Sequence, residues 1–199
     1  FHDVGKAMNP MFFVENQQQD QLNTHEDLAP HESARAIIDH VHEGVALAHK
    51  HRLPRRIDDF ILEHHGTMIT RYQYNQALEA ASGDESKVDK EQFRYPGPRP
   101  RSRETALLML ADGSEARARA ERPEDEEGIR RIVRSTIEVA QKHEHLDETQ
   151  LTLRDLSLVT EVFVSILRGT HHPRISYPKE SPATQDVSTV PSKNDSPRS

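Results

Sequence analysis

Ala36-Ile37-Ile38-Asp39-His40-Val41-His42-Glu43-Gly44-Val45-Ala46-Leu47-Ala48 is the stretch whose reading decides the fold. Ala36, Ile37, His40, Val41, Gly44, Val45 and Ala48 recur at three- and four-residue spacing, which stacks them on one face of a helix over 31–51. Working outward, Pro54 suits the first turn of a second helix, where its missing N–H costs little. That helix carries Ile57, Phe60 and Ile61, runs into His64 and His65, and stops at Gly66. A third is predicted over 68–81. Residues 83–104 break the pattern with a polar run closed by Pro96, Gly97, Pro98 and Pro100, a Pro-rich loop. Helical spacing returns over 104–120, then in a segment opened by Pro123 with its stripe from Ile129 to Ala140. A last helix starts at Thr152, with Asp155 completing a box-like cap, and ends at Gly169. No strand alternation of useful length appears, so the class is all-α.

The composition limits what such a bundle can do. Hydrophobic residues make up 34% of 199, and the deficit sits in 83–104 and 178–199. One domain over 1–178 with a disordered tail over 179–199 accounts for this. A net charge of −7 argues against a DNA or RNA polymer as partner, which needs a basic face. A small phosphate ligand stays open, because bound cations can supply positive charge locally. With no cysteine, thiolate zinc sites are excluded, and any metal falls to carboxylates and the 13 histidines. No apolar run approaches the ~20 residues that span a bilayer.

Several polar residues stand where apolar ones are expected. His40 lies on the buried stripe of its helix, and His64 follows Phe60 by four and Ile61 by three. Asp112 follows Leu108 by four, and His2-Asp3 and His64-His65 are adjacent pairs. A lone inward histidine is ordinarily a hydrogen-bonded core residue. An inward carboxylate with several inward imidazoles, all on different helices, instead calls for a common partner, and a metal centre is the economical one. The other histidines (His25, His31, His42, His49, His51) fall on polar faces or loops. His143 and His145 sit near a helix C-terminus, where imidazolium is favoured, and His171-His172 follows the last helix without a carboxylate partner.

His2-Asp3-Val4-Gly5-Lys6 matches the HD-x-G-K signature of the HD superfamily. Pro10-Met11-Phe12-Phe13-Val14-Glu15-Asn16-Gln17, His64-His65-Gly66-Thr67, Phe93-Arg94-Tyr95-Pro96-Gly97-Pro98-Arg99-Pro100, Leu151-Thr152-Leu153 and Ile175-Ser176-Tyr177-Pro178 narrow it. Over roughly 1–178 the chain resembles PgpH-type membrane-anchored phosphodiesterases with an intracellular HD domain. The resemblance implies an HD-domain helical bundle and two divalent metal ions, manganese or iron foremost. It implies that Asp3 bridges them, that His2 and Asp112 hold the first, and that His40, His64 and His65 complete the second. A further His from a front helix ahead of Phe1 belongs to the pattern, which would leave one site a ligand short over these residues, and whether they turn over substrate without it is left open by the resemblance.

The implied reaction is metal-assisted hydrolysis of a cyclic dinucleotide, cyclic di-AMP to the linear pApA, with ions ~3.5–4 Å apart activating water. Lys6 would act beside Asp3. Arg94, Tyr95 and Arg99 combine stacking and phosphate-pairing groups and are read as substrate-binding; a Pro-stiffened surface loop is the bland reading of the same segment. Gln17, Tyr72 and Tyr74 are weaker candidates. The implied location is the cytoplasmic face of the bacterial membrane. Two other readings compete. One is an HD hydrolase of cyclic di-GMP, disfavoured because no Gly-Tyr-Pro follows the His-His pair. The other is a non-catalytic HD domain that binds a nucleotide or a partner.

Overall fold

The computed structural model describes residues 1–13 and 28–171. The predicted tail, Gln17, His25, His172 and residues 175–178 lie outside the described residues. Those described form six α-helices: α1 (Pro30–Lys50), α2 (Arg56–Glu63), α3 (Arg71–Ala80), α4 (Arg103–Glu121), α5 (Glu126–Lys142) and α6 (Leu153–His171). Short 3₁₀ turns occupy Val4–Ala7, Pro10–Phe12, Glu85–Lys87 and Lys90–Phe93. None of the described helices is long and apolar enough to cross a membrane.

Local chemistry sets the helix starts. The Ser102 hydroxyl accepts the Thr105 N–H at the head of α4. For α6, the Thr152 hydroxyl accepts the Asp155 N–H while Asp155 accepts the Thr152 N–H, a reciprocal box. Two expected boundaries differ. Asp125, not Pro123, opens α5, its carboxylate accepting the Gly128 N–H at 2.7 Å, and Pro123 packs against Gly128 from outside the helix. Gly169 does not end α6, which runs on to His171; one exposed glycine costs a helix only about 1 kcal/mol.

Packing gathers the helices around two main cores, with α3 held to α1 by a third cluster of Ala34, Tyr74 and Phe93. Leu110, Ala118, Ile132, Val133, Ile137, Val164 and Leu167 join α4, α5 and α6 in one apolar core. Val41, Ala48 and Ile61 join α1 and α2, with Val4 from the first 3₁₀ turn against them. That turn lies close on α1 through Gly5: a Cβ there would stand 1.9 Å from the His40 carbonyl oxygen and 2.6 Å from the Gly44 nitrogen. Only glycine lets the Asp3 backbone approach the middle of α1 this closely. The Pro-rich loop is tied across the end of α2 by a single antiparallel bridge, with the Tyr95 N–H on the Met68 carbonyl and the Thr70 N–H on the Phe93 carbonyl, both 2.8 Å.

Candidate metal centre

The close-lying 3₁₀ turn brings Asp3 against two buried imidazoles. His40, on α1, donates its Nδ1–H to the Ile37 carbonyl at 2.6 Å. His64, just past α2, donates its Nδ1–H to the Ile61 carbonyl at 2.8 Å. With both Nδ1 atoms committed as donors, both Nε2 atoms present lone pairs, and these face each other at 3.3 Å. Each Nε2 also lies 3.4 Å from Asp3 Oδ1, a buried oxygen with no hydrogen-bond partner. Three lone-pair donors thus converge on one point without a proton among them. A cation satisfies all three, and a backbone carbonyl fixing each ring from behind is how metal-ligating histidines are oriented.

Asp3 Oδ2 faces the other way, 2.9 Å from Lys6 Nζ and 3.2 Å from His2 Nε2. His2 Nε2 is 3.8 Å from Asp112 Oδ1 on α4, and the other Asp112 oxygen is 3.9 Å from His65 Nδ1. The donors therefore fall into two groups, Asp3–His40–His64–His65 and His2–Asp3–Asp112, each with one ligand atom per residue within 4.8 Å of the rest. Asp3 belongs to both. All six residues that the sequence marked as metal ligands meet here, and Lys6 joins them.

The electrostatics suit a cation site. Burial on its own would raise the Asp3 carboxyl, but the groups around it, His2 foremost and with them the Lys6 charge, outweigh it and hold Asp3 well below the usual carboxylate range. Hydrogen bonding to Asp112, then to Asp3, raises His2 to about 9, so a cation bound there would displace the proton from its ring. His65 is pushed well below the ordinary imidazole range, first by desolvation and then by the neighbouring His64 and His40, although an edge of its ring reaches the surface. A neutral imidazole is the form that ligates.

The Arg94–Arg99 segment does something other than expected. Tyr95 is no platform for a base: it is 7% exposed and its ring is stacked on His65, centroids 4.2 Å apart at 24°. The Arg94 guanidinium donates to the Thr67 carbonyl and to the Glu91 carboxylate, so it braces the turn after the histidine pair. Arg99 pairs with Glu144 at 2.7 Å, both side chains being largely exposed. Tyr74 is a core residue and Tyr72 is exposed.

Two buried residues escaped the sequence reading. His145 is expected near a helix C-terminus where imidazolium is favoured, yet it is 1% exposed and its Nε2 accepts the Thr67 N–H at 3.0 Å. Desolvation, with Arg99 and His143 adding to it, lowers His145 to about 4, so the ring is neutral. It packs against Gly66, whose φ of +52° already favours glycine and where a Cβ would come within 2.3 Å of the ring. That glycine was the available signal that something presses on the turn. Glu63 is the second residue, 2% exposed; lying three residues after Phe60, it satisfies the same spacing argument that marked His64.

Residues 1–117 match the HD domain family. Over 179 residues, 90% of the chain, it is 34% identical to the cyclic-di-AMP phosphodiesterase PgpH of Bacillus subtilis. It is 39% identical over 181 residues, again 90% of the chain, to the uncharacterized protein slr0104 of Synechocystis sp.. The chain spans about a quarter of the length of these curated relatives, 24% and 22%. Among solved structures, the HD domain of Listeria monocytogenes phosphodiesterase PgpH superposes with a TM-score of 0.77 at 30% identity, covering 86% of this chain and 78% of that one. The same domain in complex with cyclic-di-AMP gives 0.78 at 30% identity, covering 89% and 79%.

Proposed function

We propose, from the premise that the chain belongs to the HD-domain family, that this protein is a metal-dependent phosphodiesterase that opens cyclic di-AMP to the linear pApA. The observation that carries the reading is the unpartnered Asp3 Oδ1 between the Nε2 lone pairs of His40 and His64, on a carboxylate shared by both donor groups. The substrate is supported by the relatives named as cyclic-di-AMP phosphodiesterases and by the Listeria domain bound to that dinucleotide.

Asp3, His40, His64 and His65 would hold one divalent ion, and His2, Asp3 and Asp112 a second. Imidazole and carboxylate without thiolate suit manganese or iron. When bound, such ions supply Lewis acidity and a water nucleophile at neutral pH.

The chain's own residues do the remainder. Asp3 stays ionised at any working pH because its neighbours favour the anion. Lys6 Nζ, 2.9 Å from Asp3, places a fixed positive charge beside the shared carboxylate, where an anionic phosphodiester gains from it. Among the described residues Arg99 pairs with an exposed carboxylate, so exchanging Glu144 for a substrate phosphate costs little. Tyr95 and Arg94 hold His65 and the turn behind it in place.

The decisive experiment measures metal content and turnover together. The protein loaded with Mn(II) is expected to carry two ions and to convert cyclic di-AMP to pApA. EDTA should stop turnover and Mn(II) restore it. Dinucleotide binding without turnover, with both ions in place, would instead identify a binding module. Faster turnover of cyclic di-GMP would reassign the substrate.

A further inference from the structure

α2 ends on a carboxylate that the metal centre does not use. Glu63, the residue before His64-His65, is 2% exposed. A carboxylate taken out of water costs several kcal/mol unless its oxygens are fully hydrogen-bonded. Here three donors meet it: the Arg101 N–H at 3.0 Å, Arg101 Nε at 3.0 Å and Thr105 Oγ1 at 2.7 Å. All three come from the first turn of α4 or the residues leading into it, so the carboxylate also sits at the positive end of that helix. The other end of α2 is fastened to the same place, with Arg56 donating to Ser102 Oγ at 2.7 Å and to Glu104 at 3.3 Å.

These contacts close a ring through the metal centre. From Thr105, α4 runs seven residues to Asp112, about two turns and ~10 Å. Asp112 meets His65, which lies two residues from Glu63. The ring joins the group that contains His64 and His65 to the group that contains Asp112, and Glu63 is its only buried ionic link among these contacts.

We infer that Glu63 is a positioning residue that sets the spacing between the two donor groups, and so the separation of the two ions. The inference rests on the two-ion reading given above. Glu63→Gln keeps the shape, removes the charge and turns an NH₂ donor towards the Arg101 N–H or the Thr105 hydroxyl. Wild type and variant, loaded with Mn(II), are compared by electron paramagnetic resonance, ion stoichiometry, kcat and KM.

Wild type should give the spectrum of an exchange-coupled pair. Glu63→Gln should keep its helix content, bind one ion about 10- to 100-fold more weakly, show the six-line signal of isolated ions, and lose kcat with little change in KM. Thr105→Val removes one of the three donors and should give the same change in smaller measure, which covers the case where Glu63→Gln does not fold. A coupled pair of wild-type affinity and kcat in Glu63→Gln, or in Thr105→Val if the former is unfolded, would overturn the inference and leave Glu63 a fold-stabilising residue. Absence of a coupled pair in the wild type would sink the two-ion reading, and this inference with it.

Discussion

The two halves of this bundle are built on opposite terms. Where α4, α5 and α6 meet, every large buried side chain is apolar; of the three buried hydroxyls there, Thr136 and Thr160 are satisfied by the carbonyls of Ile132 and Leu156 in their own helices, and Ser114 Oγ, between Leu110 and Ala118 on α4, has no partner among the described residues. Where the first 3₁₀ turn, α1 and α2 meet, His40, Glu63 and His64 are buried alongside Val41 and Ile61. The first half gains stability from area, roughly 1.5–3 kcal/mol for each fully buried large aliphatic side chain. The second spends part of that gain on groups that are costly to bury. α4 belongs to both halves, with Leu110 in the dry core and Asp112 and Thr105 on the polar side. Stability and chemistry should therefore be separable by substitution.

The largest effect belongs to Asp3→Ala. It removes the one carboxylate common to both donor groups, so turnover should vanish and both ions should bind poorly, with the helix content of the folded protein kept. Retained turnover would take Asp3 out of the reaction. Ile132→Ala is the opposite case. Ile132 is 1% exposed in the dry core, and its truncation should cost about 2–5 kcal/mol by denaturant titration, with metal content and kcat per folded molecule unchanged. If the core variant lost metal or kcat per folded molecule, the two halves would not be independent.

The two halves were also legible to different degrees. The dry core is readable because its periodicity is written within each helix: Ile129, Ile132, Val133, Thr136 and Ile137 announce their own face. Three members of the donor cluster, His40, His64 and Asp112, were legible for a related reason, since an ionisable residue on an apolar stripe conflicts with its own helix; His2, Asp3 and His65 stood out as members of adjacent pairs and through the resemblance. What could not be read were residues whose role lies in another segment. His145 follows α5 by three residues and locally resembles a helix-end cation; only the Gly66 turn, 79 residues earlier in sequence, shows that it is buried and neutral. Tyr95 and Arg94 were given to the substrate because their chemistry suits a nucleotide, but the same chemistry suits a histidine ring and a carbonyl, and distance decides between them.

The misread His145 supplies a test by pH. Its pKa is about 4 in the fold and near 6.5 when unfolded, so the unfolded chain binds the extra proton between those values. Stability from this residue is whole above pH 6.5, falls as pH drops towards 4, and is gone below that. Between pH 7 and 5 the loss is about 2 kcal/mol. His2 acts with the opposite sign in a different window: raised to about 9, it adds stability below 6.5 that is lost as pH rises through 9. His65 works in the same direction as His145, so the wild type alone does not separate them. Unfolding of chelator-treated wild type and His145→Gln at pH 7 and 5 does. The variant should be less sensitive to acid by about that amount, and an equal pH response in both proteins would mean that His145 is not buried neutral.

The smallest effect tests whether the polar half reaches outward to the substrate. Arg99 and Glu144 pair at 2.7 Å with both side chains exposed, an arrangement worth at most about 1 kcal/mol. Glu144→Gln should therefore leave stability almost unchanged. It also frees the guanidinium. If Arg99 meets a phosphate of the dinucleotide, the gain is bounded by the strength of the pair it left, so KM should fall by no more than about fivefold, with kcat fixed and the difference shrinking as salt screens both partners. Arg99→Gln should move KM the other way. A KM that ignores both substitutions would confine Arg99 to the surface, and substrate recognition would then rest on groups closer to Lys6 and the donor cluster.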